Sequence, residues 1–319
     1  MNLPLSLDPV KETDVQELTA VWNRCFDKPY QVSPQMVEDK LLHDGDTYLP
    51  AVFVCRTGGS IIGFIACKVT DHSIADFDHT AWLSALFVEK AYRRQGIGAT
   101  LLQKAEAALN DAGYQRLLVA GELNNFYSGI PDPSPELNSF FIQRGFITGD
   151  SEHYDLTADV STIDFSTLFV KINRSIDYTT RAYTDTDIEK FSSFLQHEFP
   201  GRWEEEMLRF IKKGGDHRYL LLLYRGPEIK GFCKIHYSPG NNGLGLHLGN
   251  HWGALGPIGI AGDIRSQALG SRILSDALQQ LKAYGAHNVN IDWTGLKGFY
   301  GQFGFTPWRR YLSAYKIIG

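Results

Sequence analysis

A long, divergent internal repeat constrains this 319-residue chain more than any single motif does. The segment KETDVQELTAVWNRCF (Lys11–Phe26) is matched 173 positions later by TDTDIEKFSSFLQHEF (Thr184–Phe199). Each copy opens on Thr-Asp and continues with apolar residues at helical spacing. YLPAVFVCR (Tyr48–Arg56) pairs with RYLLLLYR (Arg218–Arg225), and IIGFIACK pairs with IKGFCKIH, placing Gly63 on Gly231. In both halves these runs read as two strands joined by a tight turn. AYRRQGIGATLL (Ala91–Leu102) aligns with DIRSQALGSRIL (Asp263–Leu274), 172 positions on, so Arg265 falls on Arg93 and Gly270 on Gly98. An amphipathic helix follows each, stopped by Gly113 or Gly285. NSFFIQRGF ends at Phe146 and KGFYGQFGF at Phe305, an offset of 159. The 13 residues lost between the last two matches locate an insertion in the first copy. Asn124–Asn138, rich in proline, glycine and aromatic residues, is the candidate.

Each half is therefore expected to run strand, helix, antiparallel strands, loop-bearing strand, helix, strand, helix, final strand. That order is an α+β (mixed α/β) architecture, two domains each with a mixed, mostly antiparallel sheet flanked by helices. The expected boundaries are residues 1–157 and 178–319, joined by 158–177. The connecting segment holds Phe165, Leu168, Phe169, Val170 and Ile172, which suit packing across both halves better than a free linker.

Within each repeat the chemistry concentrates in one stretch. Trp82–Val88 reads as a buried strand, Arg93–Gly98 (RRQGIG) as a basic glycine-bearing turn, and Ala99–Ala112 as an amphipathic helix. The first turn of a helix has unpaired N–H groups and a partial positive charge, so a strand, glycine turn and helix in succession make an anion site suited to a pyrophosphate. The P-loop pattern GxxxxGK and the dinucleotide fingerprint GxGxxG are both missing here. What stands instead is RxxGxG, with Arg93, Gly96 and Gly98 on its fixed positions.

This motif, between an apolar strand and an amphipathic helix, resembles the acetyl-CoA loop of the GNAT acyltransferase superfamily, and the element order resembles that family twice over. The resemblance implies acetyl-CoA as co-substrate. It would be held by Leu86, Phe87, Val88, Arg93, Arg94, Gln95, Gly96, Ile97, Gly98 and Ala99 in the first copy. In the second copy the matching positions are Ile258, Ile260, Arg265, Gln267, Ala268, Gly270 and Ser271. In the family the strand before the loop splays from its neighbour; here that is Leu83–Val88 and Leu255–Ile260. Pro257, which cannot donate to a ladder, fits a bulge or a splayed edge. Ala268 on the first glycine position is acceptable where the backbone is helical, since only positive φ demands glycine.

The family's proton donor to the departing thiolate is a tyrosine in a context like FYxxxGF, which Tyr300 occupies. The first copy has Phe141 there, leaving Tyr127 of the insertion as its substitute. Asp292 is the candidate base of the second copy, and Glu122 lies in the corresponding region of the first. Arg202, Trp203, Arg309 and Arg310 are candidates for lining an acceptor pocket of the second copy. His236, His247 and His251 border the second cleft without zinc-ligand spacing, and no metal is expected.

The implied activity is N-acetyl transfer from acetyl-CoA to a primary amine of a small molecule. A non-catalytic acyl-CoA sensor or scaffold, and longer-chain or aminoacyl transfer, remain as alternatives. A net charge of −5 argues against a nucleic-acid partner. The four cysteines lack metal spacing and read as buried thiols; no apolar run approaches 18 residues, so no membrane partner is expected. A cytoplasmic location and a monomer (itself a pseudo-dimer) or homodimer complete the expectations.

Overall fold

In a computed structural model, residues 5–70, 74, 77–131, 135–166, 171–240 and 243–319 are described. Leu168, Phe169 and Val170 of the expected connecting segment lie outside them. The chain divides into two units, Met1–Tyr154 with Arg309–Gly319, and Asp155–Trp308.

The first unit opens with strand β1 (Leu5–Pro9), helices α1 (Val15–Cys25) and α2 (Pro34–Val37), and strands β2 (Thr47–Thr57), β3 (Ser60–Val69) and β4 (Thr80–Val88). Then come helix α3 (Ile97–Asp111), strands β5 (Arg116–Val119) and β6 (Ile130–Pro131), and helix α4 (Pro135–Ile142). Strand β7 (Ile147–Asp159) leads across the boundary at Tyr154. β1 to β4 pair antiparallel in sequence order, and β4 pairs parallel with β5. Parallel pairing requires a crossover, which α3 provides. Its Ile97, Leu101, Leu102, Ala105 and Leu109 are buried against the sheet, about 2 kcal/mol for each large aliphatic.

The second unit repeats this plan. It contains β8 (Tyr178–Ala182), α5 (Ile188–Glu198), α6 (Arg202–Lys212), β9 (Leu220–Arg225), β10 (Glu228–Ser238), α7 (Gly245–Leu248), β11 (Trp252–Ile260), α8 (Leu269–Ala283), β12 (Asn288–Thr294) and α9 (Lys297–Gly301). β8 to β11 pair antiparallel, and β11 pairs parallel with β12. The α+β reading of two similar mixed-sheet domains is what the chain forms.

The final strand, β13 (Thr306–Ile317), departs from the boundaries drawn on sequence. From Arg309 onward it belongs to the first unit, where Tyr315, Lys316 and Ile317 pair antiparallel with Leu118, Leu117 and Arg116. Asp155 onward belongs to the second unit: Asp155 Oδ1 accepts from the Trp293 N–H at 3.2 Å and Val160 N–H donates to His287 O at 2.7 Å. Each unit is thus completed by a strand end that the repeat assigned to the other. A repeat search sees which residues match, not which neighbour they pair with. In the connecting segment, Ile163, Asn173 and Ser175 offer their carbonyls to Lys282 and Arg272 of α8.

Candidate functional site

The two parallel strand pairs open within one residue of the same point. In the first unit the last register pair is Leu83 with Val119, and in the second Ala254 with Asn290. On their other side both loop-bearing strands carry a bulge there. Ser84 is skipped between Leu83 opposite Cys67 and Ala85 opposite Ala66, while Gly256 and Pro257 lie between Leu255 opposite Ile235 and Ile258 opposite Cys233. One extra residue reverses the alternation of side chains. Ala81 and Leu83 enter the cluster beneath α3, whereas Ala85 and Phe87 enter the cluster beneath α1. Pro257 therefore sits at a bulge, where its missing N–H breaks no ladder, and the Gly256–Pro257 peptide is cis.

Beyond the bulge each strand runs into the turn. Leu86, Phe87 and Val88 end β4, and Arg93 Nε donates to Val88 O at 3.0 Å. Ile258 and Ile260 end β11, and Arg265 Nε donates to Ile260 O at 3.3 Å. The arginine thus buckles the turn to its strand in both copies. Arg93, Arg94, Gln95 and Gly96 are exposed ahead of the first turn of α3, where Ile97, Gly98 and Ala99 present N–H groups without intrahelical acceptors. Arg94 has φ +63° and Gly96 +85°; Ser266 has φ +64° and Ala268 +58°. The two turns share one backbone path, left-handed at alternate residues, of the kind that gathers N–H groups around an anion.

This corrects the reading of Ala268. Its backbone is not helical but left-handed, which costs an alanine about 1–2 kcal/mol. The loop keeps the conformation where the glycine that eases it has gone. In the second unit Ile260, Arg265, Ala268, Gly270, Ser271 and Phe299 line a cavity of about 250 Å³, whose lining does not include Gln267. Gly98 and Gly270 differ too. A Cβ on Gly98 would stand 3.2 Å from the Phe140 ring, while the nearest atom to one on Gly270, on Phe299, would be at 3.7 Å.

In the second unit a candidate phenol and a candidate carboxylate come near one another. Tyr300, on α9, is 4% exposed. Burial pushes its phenol up, and the nearby Cys233 thiol and Asp292 carboxylate push the same way. Asp292 is exposed, with Oδ1 3.5 Å from where a Gly256 Cβ would stand. The Asp292 carboxylate thus lies beside the bulge at the opening between β11 and β12, and the Tyr300 phenol is near enough to sense its charge. On the other face, Trp203 packs on Phe199 and Phe232, Arg202 lies 4.5 Å from the Trp293 ring, and Lys234 Nζ bonds Glu206 Oε1 at 2.6 Å.

The strand register shows what occupies these positions in the first unit. Leu118 and Asn290 are equivalent, so Ala120 stands where Asp292 does, not Glu122. Glu122, 1% exposed, lies two residues on; it accepts from the Phe126 N–H at 3.0 Å and faces Lys68 Nζ at 3.5 Å. Tyr127 is equally tied down. It stacks 5.7 Å from Trp22, and its hydroxyl donates to Tyr30 O at 2.6 Å.

Arg309 and Arg310 also fall elsewhere than expected, in the first unit. Arg309 Nε donates to Pro29 O at 2.7 Å and Arg310 pairs with Glu152 at 3.3 Å. His236, His247 and His251 lie against Trp252, Trp308 and Tyr237 at the start of β11. Among the described residues no cluster of His, Cys, Asp or Glu could hold a metal, and no helix is long and apolar enough to cross a membrane. All four cysteines are buried and unpaired by disulfide.

Paired strands that part at a bulge, each feeding an N–H-rich turn, occur twice here and define a tandem acyltransferase fold. The acetyltransferase (GNAT) family profile matches residues 15–128 and 188–305. The chain belongs to that family.

Among solved structures the chain resembles the glucosamine N-acetyltransferase region of a fungal multi-domain β-N-acetylglucosaminidase, with TM-score 0.85 and 20% identity. That match covers 99% of this chain but only 38% of that one. A GCN5-related N-acetyltransferase from Sphaerobacter thermophilus gives TM-score 0.73 at 15% identity, over 99% and 97% of the two chains. A tandem GNAT protein of the clavulanic acid biosynthesis pathway gives 0.67 at 14%, over 99% of each. At these identities the likeness is one of fold. No curated protein matches the chain.

Proposed function

We propose that this protein transfers an acetyl group from acetyl-CoA to a primary amine of a small molecule, and that the second unit carries out the transfer. The observation that carries this reading is the Asp292 carboxylate beside the Gly256–Pro257 bulge, with the buried Tyr300 phenol near enough to sense its charge. The turn fits the co-substrate: its left-handed backbone and first-turn N–H groups suit a pyrophosphate, and the cavity beside Phe299 offers it space. The open edge of β11 supplies backbone groups for the pantetheine arm.

The amine nitrogen attacks the thioester carbonyl, forming C–N as C–S breaks. Asp292, directly or through water, takes the proton that the incoming ammonium must lose. Tyr300 gives its proton to the departing sulfur and regains one from the second N–H proton that the nitrogen releases as the amide forms. A thiolate in this setting is a stronger base than in water: the same burial pushes up the neighbouring Cys233 thiol, so phenol and thiol shift together. Burial keeps the phenol neutral and ready to donate.

Release of free thiol from acetyl-CoA, measured across amino sugars, polyamines, amino acids and peptide N-termini, tests the reaction. Tyr300→Phe should lower kcat by about 10²–10⁴ while acetyl-CoA still binds. Tyr127→Phe should leave kcat nearly unchanged and weaken the first unit's core. The reverse pattern would move the chemistry to the first unit.

A further inference from the structure

The first unit keeps the left-handed turn and the strand opening of the second but not the second unit's phenol and carboxylate at their positions. Its turn has Gly96 at φ +85° with exposed Arg93 and Arg94, and β4 parts from β5 after Leu83. Yet Ala120 and Phe141 occupy the positions of Asp292 and Tyr300.

The inserted loop supplies a further difference. Phe126 and Tyr127, each 3% exposed, join Trp22, Tyr30 and Tyr311 in the core cluster that also holds Ala85 and Phe87 of β4 beyond the bulge. Phe126 meets Trp22 edge-on at 5.0 Å, and Tyr127 stacks on it. This aromatic mass packs against β4 just beyond the bulge.

The loop is also clamped. Lys68, 1% exposed, pairs with Asp44 at 2.7 Å and donates to Asn124 O at 2.8 Å; Lys40 Nζ donates to Asn125 O at 3.2 Å; Ile130 and Pro131 pair with Leu312 and Tyr311. Against the burial that opposes it, Lys68 holds the Asp44 carboxyl below its ordinary value. A loop with its carbonyls bonded to buried Lys68 and half-buried Lys40, and with its rings inside the core, does not swing aside as a lid.

We infer that the first unit is a holding site: it binds acyl-CoA through the turn Arg93–Ala99 and keeps the thioester intact, because Phe126 and Tyr127 close the side from which a nucleophile would arrive. This rests on the reading of the chain as an acyl-CoA binder, but not on catalysis by the second unit.

The test uses the full chain with its second turn disabled by Ala268→Val, and in parallel by Arg265→Glu should the first variant fold poorly. Equilibrium dialysis with acetyl-CoA should give two bound equivalents in the unaltered protein and one in either variant. The equivalent left in the variant is then challenged with hydroxylamine, a small nucleophile that needs no enzyme. It should react roughly 10-fold more slowly than free acetyl-CoA, because the closed site excludes attack. A rate equal to that of free acetyl-CoA, or no binding to the variants alongside binding to the unaltered chain, overturns the holding site. No binding to any form removes the acyl-CoA reading beneath it, and a failed amine panel alongside a protected thioester removes only the transferase reading.

Discussion

Exchanging the residues at the two equivalent left-handed positions, Gly96→Ala and Ala268→Gly, should change the stability of the two units in opposite directions. Gly96 has φ +85° and a Cβ there would meet nothing within 4 Å, so the cost of Gly96→Ala is conformational only. A left-handed alanine costs about 1–2 kcal/mol. The substitution also restricts the unfolded chain, which returns about 0.4–1 kcal/mol. The net expectation is a loss of about 0.5–1 kcal/mol around α3. Ala268→Gly reverses each contribution, relieving φ +58° at the start of α8 and stabilising that unit by the same amount. Native-state hydrogen exchange suits the measurement, because it reports opening free energies for α3 and α8 amides separately within the intact chain. Protection should fall in α3 for Gly96→Ala and rise in α8 for Ala268→Gly. If Ala268→Gly weakens α8, the left-handed backbone is not what that alanine endures, and the shared path of the two turns loses its support.

The two second glycines give a related contrast: Gly98→Ala should leave the protein about 1 kcal/mol less stable than Gly270→Ala, since only Gly98 faces a ring at 3.2 Å, and thermal unfolding of both variants checks it. Asp187 accepts from both Arg181 guanidinium nitrogens at 2.7 Å and from the Tyr224 hydroxyl at 2.6 Å, and these hold its carboxyl well below the usual range despite burial. Its contribution is therefore complete above the unfolded value near pH ~4 and fades as pH falls below it; Asp187→Asn should cost about 1–3 kcal/mol at neutral pH and flatten that acid dependence in urea unfolding. With the Tyr300 phenol raised by burial, transfer should show no alkaline loss from its ionisation up to about pH 10; a limb near pH 8–9 that vanishes in Tyr300→Phe would contradict this.

Much of the architecture was legible because repeated sequence reports repeated local structure. The helix-spaced apolar runs, the paired strand runs and the basic turn each specify an element from its own residues, and each recurs, the turn with Ala268 on its first glycine position. The bulge was half legible: Pro257 announced an interruption that Ser84 does not. What the sequence hid is pairing. Nothing in PWRRYLSAY says that its last strand lies against Leu117 and Leu118, so the sequence reads Arg309 and Arg310 with the second copy although they belong to the first unit. The mismatch between Glu122 and Asp292 has the same origin, since only the register of Trp82 with Leu118 and Ala254 with Asn290 reveals Ala120 as the counterpart. The fate of Tyr127 depends on Tyr30 and Trp22, about a hundred residues away, which no local pattern signals.

The divergence of the halves follows a physical division between backbone and side chain. Left-handed turns at residues 94 and 96 recur at 266 and 268, and the bulge at Ser84 recurs at Gly256, although the residues themselves differ. These features are set by sheet pairing and by the helix that follows, so one substitution strains them by about 1–2 kcal/mol without removing them. A proton donor has no such insurance, because replacing Tyr by Phe at a position like Phe141 removes one oxygen and disturbs packing little. A repeat of this kind can therefore lose acid–base chemistry in one copy while keeping its ligand-shaped backbone in both. If the first unit holds acyl-CoA as proposed, it needs no acceptor entrance, and Phe126 and Tyr127 belong to its core. Removing them would cost the first unit several buried aromatic contacts, about 3–5 kcal/mol for a Phe126→Ala change alone. The holding role and the stability of the first unit are then properties of the same side chains.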